Sequence, residues 1–203
     1  VTSAWLSADG ETLVGAHSER GTLLIVDLDD TEPYRALGTG SFGRSYGPGP
    51  VWSPDGSEIA FLVSPGQEEQ STVQVIDVET GELRELVAPG LGFIRQVAWS
   101  PDASQLVVIG GELSTSPSSS NPLASPQPTG IYLVDADGSP PRQIATGYYI
   151  AAAWSPNGTQ IAAIDFDGDR TVVVMNSDGT DLQVLAELPS SDVYSGIAWH
   201  PAP

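Results

Sequence analysis

Five copies of one short pattern organise this chain. "VWSPDGSEIAFLV" starts at Val51, "VAWSPDASQLVVI" at Val97, "AAWSPNGTQIAAI" at Ala152 and "GIAWHPAP" at Gly196; a degenerate copy, "AWLSADGETLVGA", starts at Ala4. Anchored on Ser7, Ser53, Ser100, Ser155 and His200, the copies lie 46, 47, 55 and 45 residues apart. A repeat of this length constrains the fold more than any other feature. Each unit is too small to bury its apolar face alone, so units must stack on their neighbours.

Each copy reads as four short strands. An apolar stretch ends in Trp-Ser-Pro-Asp-Gly, a second follows (Ile59 to Val63), then a third (Val73 to Val78, or Ile131 to Asp135). A turn rich in Asp, Gly and Thr leads to a fourth run, such as Leu83 to Val87 or Leu182 to Leu185. No segment has helical periodicity. In Ser-Pro-Asp-Gly, Pro presets φ, Asp bonds its own backbone and Gly takes positive φ, so the chain reverses tightly. Small residues in the first strands (Ala98, Ala151 to Ala153, Gly196, Ala198) suit crowded inner strands. The third strands are nearly all apolar, which predicts cover on both faces.

Trp52-Ser-Pro-Asp-Gly56, Trp99-Ser-Pro-Asp102 and Trp154-Ser-Pro-Asn-Gly158 resemble the WD-repeat-like unit of TolB-type β-propellers, also seen in prolyl-oligopeptidase-like and tricorn-like propeller domains. The resemblance spans the whole chain. It implies an all-β propeller with one four-stranded antiparallel blade per repeat. The blades fall at about 1–38, 47–88, 93–146 and 148–187, and the first strand of the next at 193–203. Closed propellers of this type carry six to eight blades, so the expected whole is a larger ring; the alternative is a terminal strand that completes a blade in another molecule. The first copy departs from the pattern. Trp5 sits one place early, so Leu6 takes the tryptophan slot and Trp5 should face the other way. The tryptophans are expected to pack between blades.

The charge balance removes several function classes. Formal net charge is −19, and the seven basic residues are all arginine. Such a surface repels phosphate backbones, which argues against nucleic-acid binding. No apolar run reaches the roughly 18 residues that span a bilayer. Cys is absent, which excludes disulfides, thiolate chemistry and Cys-based zinc sites. Together with the Ala/Gly/Pro-rich, Lys-free composition, this fits an extracytoplasmic bacterial protein, periplasmic or extracellular.

Two loops stand out. "GTGSFGRSYGPGP" (Gly38 to Pro50) contains both G-x-G-x-x-G and G-x-S-x-G. Each motif needs a helix after it, and Pro48, Gly49 and Pro50 forbid one. A nucleophile triad would also need histidine, and only His17 and His200 exist. The stretch reads as the link between the first two blades, a contact surface with Phe42, Arg44 and Tyr46 as candidates. "GGELSTSPSSSNPLASPQPTG" (Gly110 to Gly130) accounts for the 55-residue spacing. Its Ser/Pro content cannot build a core. It reads as a surface excursion, with Glu112, Leu113, Asn121 and Leu123 as candidate contacts. In a propeller both segments belong to the same face.

"DFDGDR" (Asp165 to Arg170) also falls on that loop face. It lacks the Gly and Glu placement of a calcium loop, so a hairpin turn is the default; Asp165, Asp167 and Asp169 stay candidate contacts. The other acidic turns (Asp27, Asp29, Asp30, Asp77, Asp135, Asp137, Asp178, Asp181) point to the opposite face and read as solvated turn carboxylates. Asn157-Gly158-Thr159 matches a glycosylation sequon, but it is also the fourth repeat's version of Asp-Gly. No catalytic, metal or cofactor set emerges. The function expected is a non-enzymatic scaffold whose loop face binds a protein partner within a larger assembly. The alternatives are the propeller domain of a serine peptidase whose hydrolase domain lies outside this segment, and a calcium- or glycan-binding sensor propeller.

Overall fold

A computed structural model describes residues 4–17, 22–29, 34–37, 49–63, 71–86, 91–111, 129–189 and 196–199. Among these there is no helix; all regular structure is strand. Sixteen strands form four sheets of four, each antiparallel and each in chain order. The first holds β1 (Ala4–Leu6), β2 (Thr12–His17), β3 (Thr22–Asp27) and β4 (Arg35–Leu37). The second holds β5 (Val51–Trp52), β6 (Glu58–Val63), β7 (Thr72–Asp77) and β8 (Leu83–Leu86). The third holds β9 (Phe93–Trp99), β10 (Gln105–Gly111), β11 (Thr129–Asp135) and β12 (Arg142–Gly147). The fourth holds β13 (Tyr149–Trp154), β14 (Gln160–Asp165), β15 (Thr171–Asn176) and β16 (Gln183–Glu187). Residues 196–199 carry no strand assignment. The chain divides into two compact units, Val1–Ala88 and Pro89–Pro203.

In the first unit the core is built from Val14, Leu23, Ile25, Leu37, Ile59, Phe61, Val63 and Ile76, with Trp5, Trp52 and Val78 packed at its margin. The register pairs Leu6 with Leu13 and Trp52 with Ile59, so Leu6 does occupy the tryptophan slot. It is 52% exposed. Trp5 alternates to the other face and lies on Gly49, where a Cβ would come 1.6 Å from a ring carbon. The Trp52 indole Nε1–H donates to the Trp5 carbonyl at 3.2 Å. Arg84 and Glu58 pair across β8 and β6, Nη2 to Oε2 at 2.7 Å.

In the second unit Val107, Ile109, Ile131, Leu133, Tyr149, Ala152, Trp154, Ile161, Ala163, Val173 and Met175 form one core. Two long-range polar links converge on β13. The Gln96 side chain exchanges both amide hydrogen bonds with the Ala152 main chain, each at 2.9 Å. The Trp199 indole Nε1–H donates to the Ala153 carbonyl at 3.0 Å. The outermost strand, β16, is exposed along its whole length, and Val184 and Leu185 are about 60% exposed.

One expectation changes. The second strands, rather than the third, carry the unbroken buried runs: Ile59 to Val63 in β6, Leu106 to Gly111 in β10 and Ile161 to Ile164 in β14. In β7 burial alternates, so Gln74 is only partly covered. Both strand types read as apolar in sequence. Their cover depends on which face a neighbour reaches.

The turns repeat with small variation. Ser7, Ser53, Ser100 and Ser155 are all buried. Each hydroxyl donates to the side chain two residues on (Asp9, Asp55, Asp102, Asn157) and accepts the amide N–H five residues on. Asn157 thus takes the aspartate's place with the same geometry. The fourth turn position has positive φ, filled by Gly10, Gly56 and Gly158, but by Ala103 (φ 57°) in the third repeat. A Cβ there costs about 1 kcal/mol. Ala103→Gly is therefore expected to raise stability in urea unfolding by no more than about 0.5 kcal/mol, because the greater unfolded-state freedom of glycine offsets most of the relief.

Candidate functional site

Antiparallel chain order places the β14–β15 turn, the β12–β13 link, the end of β10 and the start of β11 at one end of the second unit, its loop end. The serine turns and the β15–β16 turn lie at the other end. Of the sequence candidates, Phe42, Arg44, Tyr46, Glu112, Leu113, Asn121 and Leu123 lie outside the described residues. Asp165, Asp167 and Asp169 are brought together at the loop end. Asp165 closes β14, pairs with Thr171, and accepts the Asp167 amide N–H at 3.0 Å. Asp167 and Asp169 are exposed on either side of Gly168, the turn glycine, at φ +79°.

Beside this turn stands a set of residues that the sequence did not single out. Tyr148, in the link between β12 and β13, accepts the Phe166 amide N–H on its carbonyl at 2.8 Å. That bond ties the link to the β14–β15 turn. The two rings meet edge to face, centroids 5.8 Å apart at 65°. The Arg170 guanidinium carbon lies 4.1 Å from the Phe166 centroid, and that of Arg95, from β9, lies 5.9 Å from the Tyr148 centroid. Two of the chain's seven cations thus flank an aromatic pair. Arg95 is exposed, and Tyr148 and Phe166 are half-buried. Beneath them Tyr149 is 2% exposed; burial, and then the Asp165 charge, push its phenol up to about 12, so it stays neutral.

In each unit, taken by itself, the carboxylates of the β-turns that precede the fourth strands are largely used by their own turns. Asp77 accepts the Glu79 and Thr80 amides and the Thr80 hydroxyl, and Asp178 accepts the Thr180 amide and hydroxyl. The Thr80 amide holds the Asp77 carboxyl below its usual range, and the Thr180 hydroxyl does so for Asp178. Among the described residues no three His, Cys, Asp or Glu side chains converge as a metal site would require. Nor is any helix among them long and apolar enough to cross a membrane.

No family model and no curated protein sequence matches the chain. Solved structures do. An oligogalacturonate lyase in complex with manganese superposes with a TM-score of 0.69 at 19% identity, covering 96% of this chain and 55% of that one. TolB from Acinetobacter baumannii gives 0.62 at 16% identity, covering 91% of this chain and 43% of its own. A putative TolB from Agrobacterium tumefaciens gives 0.54 at 17%, covering 92% and 80%. The chain therefore spans less than half of the Acinetobacter TolB. At these identities the likeness is one of fold: four-stranded blades of the TolB-type β-propeller.

Proposed function

We propose that this chain is a non-enzymatic, extracytoplasmic binding scaffold, periplasmic or extracellular, whose loop end receives a protein partner. The observation that carries this reading is the Arg95–Tyr148–Phe166–Arg170 set beside the Asp165–Asp169 turn. Tyrosine and arginine are the side chains most enriched at the energetic centres of interfaces. Here the rings are already fixed by each other and by the Phe166–Tyr148 backbone bond, so little rotamer freedom remains to be lost on association. Each cation–π contact holds its guanidinium with roughly 0.5–1 kcal/mol. The neighbouring carboxylates set a charged rim around that centre.

The experiment is site-specific photo-crosslinking in the native host. A benzophenone amino acid replaces Asp167 or Asp169 at the loop end, and Glu79 or Asp137 at the turn ends as controls. A discrete adduct from the first pair alone is expected. Tyr148→Ala should weaken it about thirtyfold, the effect of a 2 kcal/mol interface centre. Equal adducts from both ends, or an adduct indifferent to Tyr148→Ala, would refute the assignment.

A further inference from the structure

Arg95 stands where regular strand geometry would not put it. Along β9, Gln96 pairs with Ile109 and Ile94 with Gly110, so Arg95 is the extra residue of a β-bulge. In an unbroken strand, neighbouring side chains leave opposite faces. A bulge suspends that alternation and re-aims a side chain. Here Gln96 reaches Ala152 in β13, and Arg95, its immediate neighbour, reaches Tyr148, the residue before β13. β13 carries a bulge of its own at the same end: Tyr149 pairs with Asp165 and Ala151 with Ile164, which leaves Ile150 as the extra residue.

The guanidinium so placed is uncommitted. Arg84 pairs with Glu58, and Arg142 donates to the Asp178 carbonyl. Arg95 is exposed, and among the described residues its N–H donors meet no acceptor; its contact is with the Tyr148 ring. The chain holds 26 acidic residues, and no described one of them pairs with this arginine. The ring restrains the long side chain, so less rotamer freedom is lost when its donors are taken up.

Those donors select their ligand. A guanidinium matches a carboxylate bidentately, through charge-assisted hydrogen bonds about twice as strong as neutral ones. A nucleic acid or an anionic membrane would set many charges against a chain of net charge −19 and be repelled along its length. A basic partner would be drawn to the exposed Asp167 and Asp169 but would have to cover Arg95 without pairing it. A single acidic side chain avoids both costs. It pairs with Arg95 while Asp167 and Asp169 stay at the rim. We propose that Arg95 is the carboxylate-receiving position of the loop end, and that the protein partner presents one acidic side chain to it beside the Tyr148 ring. The proposal rests on the reading of the loop end as a protein-binding surface and adds the chemistry of what it binds.

The test takes the benzophenone reporter at Asp167 or Asp169 in the native host and varies Arg95 behind it. Arg95→Gln should lower the adduct about tenfold, Arg95→Lys by less, because it keeps the charge and loses the fork, and Arg95→Glu should abolish it. Protection of the Ala152 amide should be unchanged in all three, which shows that the adjacent Gln96 contact is intact. Sequencing the adduct should find an Asp or Glu beside the crosslinked position. Replacing that residue by Arg in the partner should restore the adduct to Arg95→Glu, as a charge swap requires. No adduct in the parent protein defeats the binding-surface reading, and this proposal with it. A parent adduct that Arg95→Glu leaves equal or strengthens defeats this proposal alone. So does an adduct without a neighbouring acidic residue, one that nuclease removes, or a swap that restores nothing.

Discussion

Gln96→Ala is expected to destabilise the second unit by roughly 2–5 kcal/mol, a large share of the 5–15 kcal/mol that keeps a domain folded. β13 is the edge strand of its sheet, with β14 on one side only. Ala152, within β13, is buried, and the Gln96 amide satisfies both its N–H and its C=O. The side chain acts as a one-residue strand. It closes an edge that would otherwise bury two unpaired backbone groups, each worth about 1–3 kcal/mol when orphaned. Alanine removes both partners and cannot itself reach either group.

Urea unfolding should show the lower midpoint, and hydrogen exchange should place the cause: the Ala152 amide is protected in the parent and fast in the variant. Gln143 is the matched control. It is exposed, its one side-chain bond is long (3.4 Å), and Gln143→Ala should stay within about 0.5 kcal/mol. A Gln96→Ala midpoint equal to that of Gln143→Ala would mean that water replaces the clasp without cost. Gln96→Glu adds a finer discrimination. The carboxylate still accepts from Ala152 N–H but faces the Ala152 carbonyl without a proton to donate, so it should be worse than a mere loss of one bond.

The clasp shows which parts of this molecule its sequence discloses. The repeat, the four-strand units and the serine turns were legible because their causes are local. Ser53, Asp55 and Gly56 meet within one turn, and the turn chemistry can be read from adjacent letters. The Trp5 displacement was legible for the same reason, since strand alternation decides its face. Gln96 and Ala152 are 56 positions apart and follow no periodicity. Arg95, Tyr148, Phe166 and Arg170 likewise come from one strand, one link and one turn, and meet only through sheet packing. The one sequence signal for them was scarcity: in a chain with seven cations, two beside aromatic residues were worth locating in space. The acidic turn at Asp165 was identified, but the aromatic pair beside it was not.

Ser53→Ala should cost roughly 2–3 kcal/mol at neutral pH, and part of that cost should vanish in acid. The hydroxyl has no exposure to water. It accepts the Glu58 amide N–H at 2.9 Å and donates to Asp55 at 2.6 Å. Alanine leaves the Glu58 N–H without its acceptor at the start of β6 and takes the strongest donor from the Asp55 carboxylate. That donor is the main reason the Asp55 carboxyl is held below its usual range, with the Ser57 amide second. A carboxyl whose folded pKa is depressed contributes stability above its unfolded pKa, about 4, and loses it as pH falls through the folded value. The gap between parent and variant urea midpoints should therefore be widest at pH 5–7 and narrow below about pH 4. What persists in acid is the Glu58 amide alone. A gap constant across pH would place the whole effect on that amide and remove Asp55 from the network. No gap at neutral pH would mean that the buried serine is a packing element and the turn is held by its backbone bonds.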